Sequence, residues 1–362
     1  MPIEAMPLNR RRVLSAMAGA IAGAAAGGAS AGEAPAAAAA ATPPGAAPGV
    51  FNAIATDIRT ELKQLAPNVY AFTQREAPGQ TNFSVSNFGC VVGPKSMLAI
   101  DAGGGPQHAR NFIAAVKPFG KPFDRLVISH EHPDHIVGAT QFPDGIEVVA
   151  QEETRAQMVK MRAPATPAYW KTNPAWGRPD DVNRLILPTV TYRDRMSVYY
   201  GDIQVDFVWP GPAHTSGDTL IRLPREKVLF MSDIAFFDVT PLNGSGYVAD
   251  WIKVCENILR DPGVETIVPG HGPVGGKAQL DDMLNYLKLL VREGRRQYDA
   301  GVSAGRAAAE LDLGHYAKWT DADRIAPNMA RLYTEFAGTI GTSMDRAATT
   351  QATTEYNQLK RR

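Results

Sequence analysis

The sequence predicts an α/β fold, because segments with strand character alternate with segments that have the apolar spacing of helices. The alternation forms two halves, each a run of strands followed by helices, and the second half begins near residue 186. Two sheets that each carry helices on one face pack into a four-layer αβ/βα sandwich. We therefore predict this sandwich, although periodicity alone supports only the α/β class.

Each predicted element rests on the local pattern of apolar residues. Strands are predicted where β-branched and apolar residues are dense, at 69–72, 84–92, 97–100, 126–128, 147–150 and 266–268. Residues 186–231 are predicted to be mostly strands, including 203–207 and 228–230. Helices are predicted at 106–117, 134–140, 151–161 and 247–259, and again within 277–345, where apolar residues repeat at helical spacing. Residues 346–362 are predicted to be a tail.

Length and composition bound the class of protein. The chain has 362 residues, of which 44% are hydrophobic, so it can form a sizeable core. Its 37 basic side chains balance 37 acidic ones, which argues against a nucleic-acid-binding protein and against a disordered chain. Two cysteines, Cys90 and Cys255, cannot form a disulfide scaffold or a four-cysteine zinc site. We predict that they are small buried hydrophobic residues rather than a disulfide.

The N-terminus has the composition of an export signal. Arg10, Arg11 and Arg12 precede an Ala/Gly-rich stretch that carries no charge before Glu33. This arrangement resembles the twin-arginine signals of bacteria, with a small-residue cleavage site that ends at Ala31. The alternative is a disordered N-terminus in which the arginines occur by chance.

Three further predictions follow for the organisation and location of the chain. We predict a signal peptide over 1–31, an Ala/Pro-rich linker over 32–50 and a folded domain over 51–345. Such a protein is periplasmic or secreted, and its partner during export is the twin-arginine translocase. The signal stretch is weakly apolar and a membrane span needs about 20 strongly apolar residues, so we predict no stable membrane insertion.

Four potential metal ligands lie within six residues, directly after the predicted strand at 126–128. In extended backbone His130 and His132 point the same way, because side chains alternate with a period of two, so both can bind one metal ion. The turn into the next helix directs Asp134 and His135 toward a second position, about 3.5 Å away in two-metal hydrolytic sites. Imidazole and carboxylate suit zinc, and also iron or manganese. The alternative is a polar, histidine-rich surface turn.

With four other short motifs, this H-x-H-x-D-H cluster resembles the metallo-β-lactamase-fold hydrolase superfamily, of which glyoxalase II is a member. The other motifs are Asp101 after a strand, His214 before a small polar turn, Asp233 after a strand and His271 in a Gly/Pro turn. All five occur in the family's order between residues 101 and 271. The resemblance implies the αβ/βα sandwich and a small-molecule substrate.

The resemblance also implies a dinuclear site with two zinc ions per chain. The implied ligands are His130, His132 and His214 for the first metal, Asp134, His135 and His271 for the second, and Asp233 as the bridge. Asp101 is implied to accept a hydrogen bond from a ligating histidine, which fixes the tautomer of that histidine. The alternative for Asp101 is an ordinary carboxylate that caps the following glycine-rich turn.

The implied reaction is hydrolysis of an ester, thioester, lactone or amide bond by a hydroxide that bridges the two metals. Asp134 is the candidate catalytic residue, because it can orient the hydroxide and transfer a proton. Asp233, and the absence of cysteine between residues 91 and 254, favour the glyoxalase II-like branch over the lactamase groups. Two alternatives stay open: a mononuclear iron persulfide dioxygenase of the same fold, and a β-lactamase-like amidohydrolase.

The segment 163–181 is a candidate lid over the site. It contains four prolines and the aromatic residues Tyr169, Trp170 and Trp176, which would form an apolar wall for an acyl or ring substrate. The alternative is that these aromatic side chains pack against the domain and never contact the substrate. The two histidines outside the motifs, His108 and His315, are predicted to be structural or solvent-exposed, with His108 on a polar helix face.

Overall fold

The computed structural model describes residues 60–74, 85–161 and 185–361. All of these residues lie in one compact unit, Ala47–Arg362. The predicted signal peptide, the predicted linker and the candidate lid lie outside the described residues.

The first sheet contains seven strands, which lie side by side in the order of the chain. Strands one to four pair antiparallel, and strands four to seven pair parallel. Parallel neighbours require a crossover connection, which explains the helices that alternate with these strands. The strands are β1 Thr60–Ala66, β2 Val69–Gln74, β3 Phe88–Val92, β4 Met97–Ile100, β5 Phe123–Val127, β6 Glu147–Gln151 and β7 Val190–Tyr192.

The second sheet contains five strands, of which the last two in the chain pair parallel and the others antiparallel. The strands are β8 Arg195–Tyr200, β9 Ile203–Val208, β10 Leu220–Leu223, β11 Val228–Phe236 and β12 Thr266–His271. The described residues also contain eight α-helices. They are α1 Pro106–Val116, α2 Pro133–Ile136, α3 Glu152–Lys160, α4 Val248–Arg260, α5 Lys277–Asp299, α6 Ala304–Glu310, α7 Ile325–Phe336 and α8 Arg346–Lys360.

Alternation along the strands divides the apolar side chains between three cores. In β4, Leu98 and Ile100 pack in the core between the two sheets, whereas Met97 and Ala99 pack on the opposite face, with α1 and α3. β11 alternates in the same way between the inter-sheet core and a third core under α4, α5 and α7. The layers are therefore helix, sheet, sheet and helix, and the predicted four-layer αβ/βα sandwich is confirmed.

The structure differs from the predicted elements at several places. The predicted strand 84–92 corresponds to β3, which begins at Phe88. β1 is not predicted, because its sequence is largely polar and its side chains are mostly exposed. The predicted helix 134–140 is the four-residue α2 followed by a 3₁₀ helix, Val137–Gln141. Gly138 lies so close to the backbone of Ala102 that a Cβ there would overlap it, so this short stretch is fitted to the strand end rather than to a regular helix.

The prediction of a tail over 346–362 is wrong for most of its length, because α8 occupies Arg346–Lys360. Asp345 caps this helix by accepting a hydrogen bond from the backbone N–H of Ala348 at 3.0 Å. Thr349 and Ala352 are buried where α8 packs against α6 and α7. Few large apolar residues are needed for this contact, so apolar periodicity did not predict the helix.

Cys90 and Cys255 are free and buried, and they belong to different cores. The prediction of two small buried hydrophobic residues is therefore confirmed. No helix among the described residues is both long and apolar enough to span a membrane.

Candidate metal centre

The seven predicted ligands lie together where strands of both sheets end. They form two groups of four that share Asp233, and within each group the potential ligand atoms lie within 4.8 Å of one another. The first group is His130, His132, His214 and Asp233; the second is Asp134, His135, His271 and Asp233. We call them the histidine-rich group and the carboxylate-rich group.

In the histidine-rich group, three imidazoles face one carboxylate oxygen. His132 Nδ1 lies 2.8 Å from His214 Nε2, and Asp233 Oδ2 lies 3.3 Å from His214 Nε2 and 3.7 Å from His130 Nε2. His132 is in extended backbone directly before α2, with φ −67° and ψ 144°. The period of two between His130 and His132 thus brings both rings to the same side, as the sequence predicts.

In the carboxylate-rich group, two imidazoles alternate with two carboxylates. His135 Nε2 lies 3.0 Å from Asp233 Oδ1 and 3.5 Å from Asp134 Oδ2. His271 Nε2 lies 3.1 Å from Asp134 Oδ2 and 3.4 Å from Asp233 Oδ1. Gly270 permits this approach, because a Cβ at that position would overlap Asp233 Oδ1.

Burial keeps the imidazoles of the histidine-rich group neutral. It lowers the pKa of His130, His132 and His214 against the opposing effect of the nearby Asp233 carboxylate, and the pKa of His214 falls to about 3. Neutral imidazoles offer nitrogen lone pairs, which is the form that binds a metal ion.

The carboxylate-rich group has the opposite electrostatic character. Burial by itself lowers the pKa of His135 and His271, but the Asp233 and Asp134 carboxylates outweigh it. The pKa of His271 therefore rises to about 9, and that of His135 rises well above its ordinary value. The two carboxylates thus draw positive charge into this group.

Several buried polar atoms in the two groups are not satisfied by the protein. His130 Nε2, His135 Nε2 and Asp233 Oδ1 have no hydrogen bond of good geometry among the described residues. Buried polar atoms are normally hydrogen-bonded, and all three atoms belong to residues of the two groups. The donor set and these unsatisfied atoms fit bound metal ions.

Asp101 lies behind the two groups, where the sequence predicts a partner for a ligating histidine. Its Oδ2 lies 2.9 Å from His135 Nδ1. It also accepts hydrogen bonds from the backbone N–H and the hydroxyl of Ser129, each at 2.7 Å, and from the hydroxyl of Ser232 at 3.1 Å. The contact with His135 directs the other nitrogen of that ring toward Asp134 and Asp233.

Three serines beside the site, for which the sequence predicts no role, contact the ligands or their partners. Ser129 Oγ lies 3.0 Å from His130 Nδ1 and 2.8 Å from Ser232 Oγ, so the two serines link the partners of both groups. Ser86 donates a hydrogen bond to the carbonyl of Asp134 at 2.5 Å. Ser129 and Ser232 directly precede His130 and Asp233 in the sequence, and this adjacency is the one signal that points to them.

Aromatic rings form part of the surroundings of the ligand groups. The Phe236 ring stacks on His271 with centroids 5.2 Å apart and an interplanar angle of 11°. Trp251 contacts His214 edge-on at 5.4 Å. These rings come from β11 and α4. Tyr169, Trp170 and Trp176, the predicted aromatic wall, lie outside the described residues, so their contribution stays a prediction.

The two histidines outside the motifs have different surroundings. His315 is exposed, with its Nε2 2.9 Å from Asp282 Oδ1. His108 is fully buried and packs edge-on against Phe88 with centroids 4.6 Å apart. Both fit a structural or exposed role, but the expected polar helix face for His108 is wrong because α1 turns this side chain toward the core.

A four-layer αβ/βα sandwich that carries a paired His/Asp cluster at its strand ends defines a class of metal-binding hydrolases. The comparison with protein families agrees: residues 82–271 match the Metallo-beta-lactamase superfamily. The chain belongs to this superfamily, whose members are generally hydrolytic metalloenzymes. The cluster described above is the metal-binding His/Asp cluster typical of the fold.

Similar proteins include enzymes of more than one kind. The chain is 26% identical over 188 residues to the 2,4-dinitroanisole O-demethylase subunit alpha of Nocardioides sp. (strain JS1661), covering 50% of this chain and 51% of that protein. It thus spans about half the length of that relative. It is 23% identical over 223 residues to the metallo-beta-lactamase type 2 of Elizabethkingia meningoseptica, covering 58% of this chain and 78% of the other.

A solved structure supports the fold assignment. The metallo-beta-lactamase from Pontibacter korlensis superposes with a TM-score of 0.50 and 22% sequence identity, over 64% of this chain and 99% of that one. The family match ends at His271, so α5 to α8 follow the matched region.

Proposed function

We propose that this protein is an exported, dinuclear zinc-dependent hydrolase that cleaves an ester, thioester, lactone or amide bond of a small molecule. The observation that carries the proposal is the sharing of Asp233 by two complete ligand groups. One carboxylate with an oxygen toward each group suits two cations held side by side.

The residues of the two groups would have different roles in such a site. His130, His132 and His214 would hold one ion and Asp134, His135 and His271 the other, with Asp233 between them. When bound, two divalent cations lower the pKa of a shared water and polarise the scissile carbonyl. The Asp134 side chain is 28% exposed, whereas that of Asp233 is 5% exposed. Asp134 is therefore the carboxylate that can reach a substrate and carry a proton.

Zinc is the proposed metal because each group offers three side chains of its own and the shared carboxylate. Neutral imidazole and carboxylate are ordinary zinc ligands, and a catalytic zinc can expand its coordination to take a water or substrate oxygen beside its protein ligands. Iron or manganese also bind such donors, so the metal must be tested together with activity.

Asp233 supports the glyoxalase II-like branch, because it supplies an aspartate where one lactamase group uses cysteine and another has no bridging acid. The type 2 metallo-beta-lactamases among the similar proteins favour an amidohydrolase as the second candidate. The persulfide dioxygenase with a single iron is the third. It would hold one iron with two histidines and an aspartate, and so would leave one of the two groups without a metal.

The decisive test is metal analysis of protein purified without added metal, followed by activity after reconstitution with zinc, iron or manganese. We expect about two zinc ions per chain and cleavage of a thioester, lactone, ester or β-lactam from a small panel. His315→Ala should keep the metal content and the activity of the wild type, since His315 is exposed and outside both ligand groups. One iron per chain with oxygen uptake on a persulfide would contradict the hydrolase and favour the dioxygenase.

Export is a separate part of the proposal, supported by the arginines ahead of a weakly apolar Ala/Gly-rich stretch. The twin-arginine translocase would carry the folded protein to the periplasm or beyond, and cleavage would follow Ala31. Replacing Arg10 and Arg11 by Lys should leave the precursor in the cytoplasm, as fractionation and immunoblotting would show. An unchanged periplasmic yield of this double variant would contradict export by this route.

A further inference from the structure

Helix α7 and the residue directly before it, Arg324, carry four polar side chains that all contact one short backbone segment. Arg324, Asn328, Arg331 and Glu335 are spaced by four, three and four residues, so they lie along one face of the helix. Each contacts the segment 240–249, which joins β11 to the first turn of α4. We call this face the polar face of α7.

Arg331 makes four hydrogen bonds to backbone carbonyls, two of them in this segment, although its side chain is buried. It donates hydrogen bonds to the carbonyls of Gly246 at 2.8 Å and Ser245 at 3.1 Å. It also donates to the carbonyls of Gly341 at 2.7 Å and Ser343 at 3.3 Å. A buried guanidinium is expensive unless its donors are satisfied, and its fork here fixes two loops at once.

Asn328 and Arg324 hold the beginning of the same segment. The Asn328 side chain accepts a hydrogen bond from the backbone N–H of Asn243 at 2.9 Å and donates one to the carbonyl of Pro241 at 2.7 Å. Arg324 donates to the carbonyl of Thr240 at 2.9 Å. Because both partners in each contact are buried, shifting the segment would leave polar groups unpaired.

Glu335 holds the end of the segment. Its carboxylate accepts hydrogen bonds from the backbone N–H groups of Val248 and Ala249, each at 3.0 Å. These N–H groups belong to the first turn of α4, which has no side-chain cap of its own. A carboxylate at this position satisfies the free donors and the positive end of the helix dipole.

The held segment is connected to the histidine-rich group by two contacts. The backbone N–H of Tyr247 donates to the carbonyl of Ala213 at 2.7 Å, directly before His214. The second is the edge-on contact between Trp251 of α4 and the His214 ring at 5.4 Å. Trp251 is itself fixed, since its Nε1 donates to the carbonyl of Ile234 at 2.9 Å.

We infer that the polar face of α7 is a positioning device for His214, and that it sets the affinity of the histidine-rich group for its metal ion. This inference rests on the proposed metal centre. Arg324, Asn328, Arg331 and Glu335 are positioning residues, because they act on His214 through the segment 240–249. Both contacts described above reach His214, which belongs to the histidine-rich group alone, so the affinity of the carboxylate-rich group should depend much less on this face.

The test is stepwise binding of Zn²⁺ in competition with a chromogenic chelator, together with the visible spectrum of the Co²⁺-loaded protein. Arg331→Met removes the donors while it keeps an apolar stem of similar length. We expect the affinity of the histidine-rich group to fall about tenfold, as for other residues that orient a ligand. The Co²⁺ bands of that group should change, while the affinity of the carboxylate-rich group should stay within a factor of about two.

A double-mutant cycle shows whether Arg331 acts through His214. In a His214→Ala background Arg331→Met should cost no further metal affinity, whereas in a His271→Ala background it should cost the same factor as in the wild type. Arg222→Met is the matched control, because Arg222 pairs with Asp261 instead of the segment 240–249. The control is expected to change stability without a selective effect on either ion.

Glu335→Gln provides a milder variant if Arg331→Met does not fold, because Gln keeps an acceptor for the first turn of α4. In one outcome the wild type binds two ions while Arg331→Met and Glu335→Gln leave both affinities unchanged or lower them equally. This result would overturn the inference but not the proposed function. A wild type that binds no metal would overturn the proposed function as well. Hydrogen exchange of the metal-free protein gives an independent readout, since Arg331→Met should expose the amides of Tyr247 and Val248.

Discussion

The histidine-rich group and the carboxylate-rich group share Asp233, yet they would hold a cation by different means. The first offers three neutral nitrogen donors, so its hold depends on ring orientation. The second adds Asp134 to Asp233, so its hold depends more on charge. We therefore expect ring orientation to determine the metal affinity of the histidine-rich group, and charge to determine that of the carboxylate-rich group.

The support behind each group follows the same division. His135 contacts the Asp101 carboxylate, a charged partner directly behind the ring. His214 instead contacts the Trp251 ring. The residue directly before it, Ala213, accepts a backbone hydrogen bond from Tyr247. A charged partner raises the basicity of its ring and fixes the tautomer, whereas packing fixes orientation only.

The largest effect is expected when the shared carboxylate is removed. Asp233→Ala should lower turnover more than about 100-fold, because a ligand contributes more than the residues that orient ligands. Both ions should be lost or weakened, while the free energy of unfolding of the metal-free protein should change by less than about 2 kcal/mol. Metal analysis, turnover and urea denaturation of the same preparation measure the three quantities.

Asp206→Ala is the matched control for Asp233→Ala, because Asp206 is also buried but bonds Ser197 and Gln204 in the second sheet. It should lower stability and leave the metal content unchanged. Near-normal turnover of Asp233→Ala with any substrate would show that the dinuclear assignment is wrong.

The next largest effect should separate the two groups. His214→Ala and His271→Ala each remove one imidazole from one group only, so each variant should retain one ion per chain instead of two. The ion kept by His214→Ala should depend on Asp134, and the ion kept by His271→Ala should not. Metal analysis of both variants, with Asp134→Asn added to each, measures this. Retention of two ions, or loss of both, would contradict two separable groups.

The sequence predicts the parts of this site that share a motif, but not the parts that meet only in the fold. His130, His132 and His135 are close in the chain, and backbone periodicity is sufficient to place them. Motif order is sufficient to assign Asp233 and His271, and His271 ends β12, but Asp233 lies within β11 rather than after a strand. The four strand-and-helix layers follow for the same reason, since period two and period 3.6 are local properties of the chain.

Contacts between distant segments explain what the sequence did not predict. The polar face of α7 looks like ordinary surface in sequence, because Arg324, Asn328 and Arg331 are residues that are mostly exposed in proteins. Only the fold brings them to the segment 240–249. α8 has too few large apolar residues for its periodicity to predict a packed helix, and the burial of His108 depends on where α1 docks.

Asp101→Asn should have a selective and intermediate effect. The variant keeps the shape of the side chain but removes the charge beside His135 Nδ1, so the affinity of the carboxylate-rich group should fall about 10- to 100-fold. The histidine-rich group should be affected much less. Chelator competition with Zn²⁺ measures both steps. Asp124→Asn is the control, because Asp124 bonds Ser96 and Tyr200 in contacts away from both ligand groups.

The smallest effect is expected at Ser232, which lies between the supports of the two groups. Its hydroxyl contacts both Asp101 and Ser129, and its backbone has a φ of 46°, in the left-handed region that favours glycine.

Ser232→Ala loses the hydroxyl and keeps the backbone strain, so the free energy of unfolding should fall by about 1 kcal/mol. Ser232→Gly loses the same contacts but relieves the strain, so it should be about 1 kcal/mol more stable than the alanine variant. Urea denaturation of the two metal-free proteins measures the difference. Both affinities should fall by a small factor in either variant, and that of the carboxylate-rich group should fall more, because Ser232 Oγ lies 3.3 Å from His135 Nδ1 but reaches His130 only through Ser129. A loss confined to the histidine-rich group would contradict this role of Ser232.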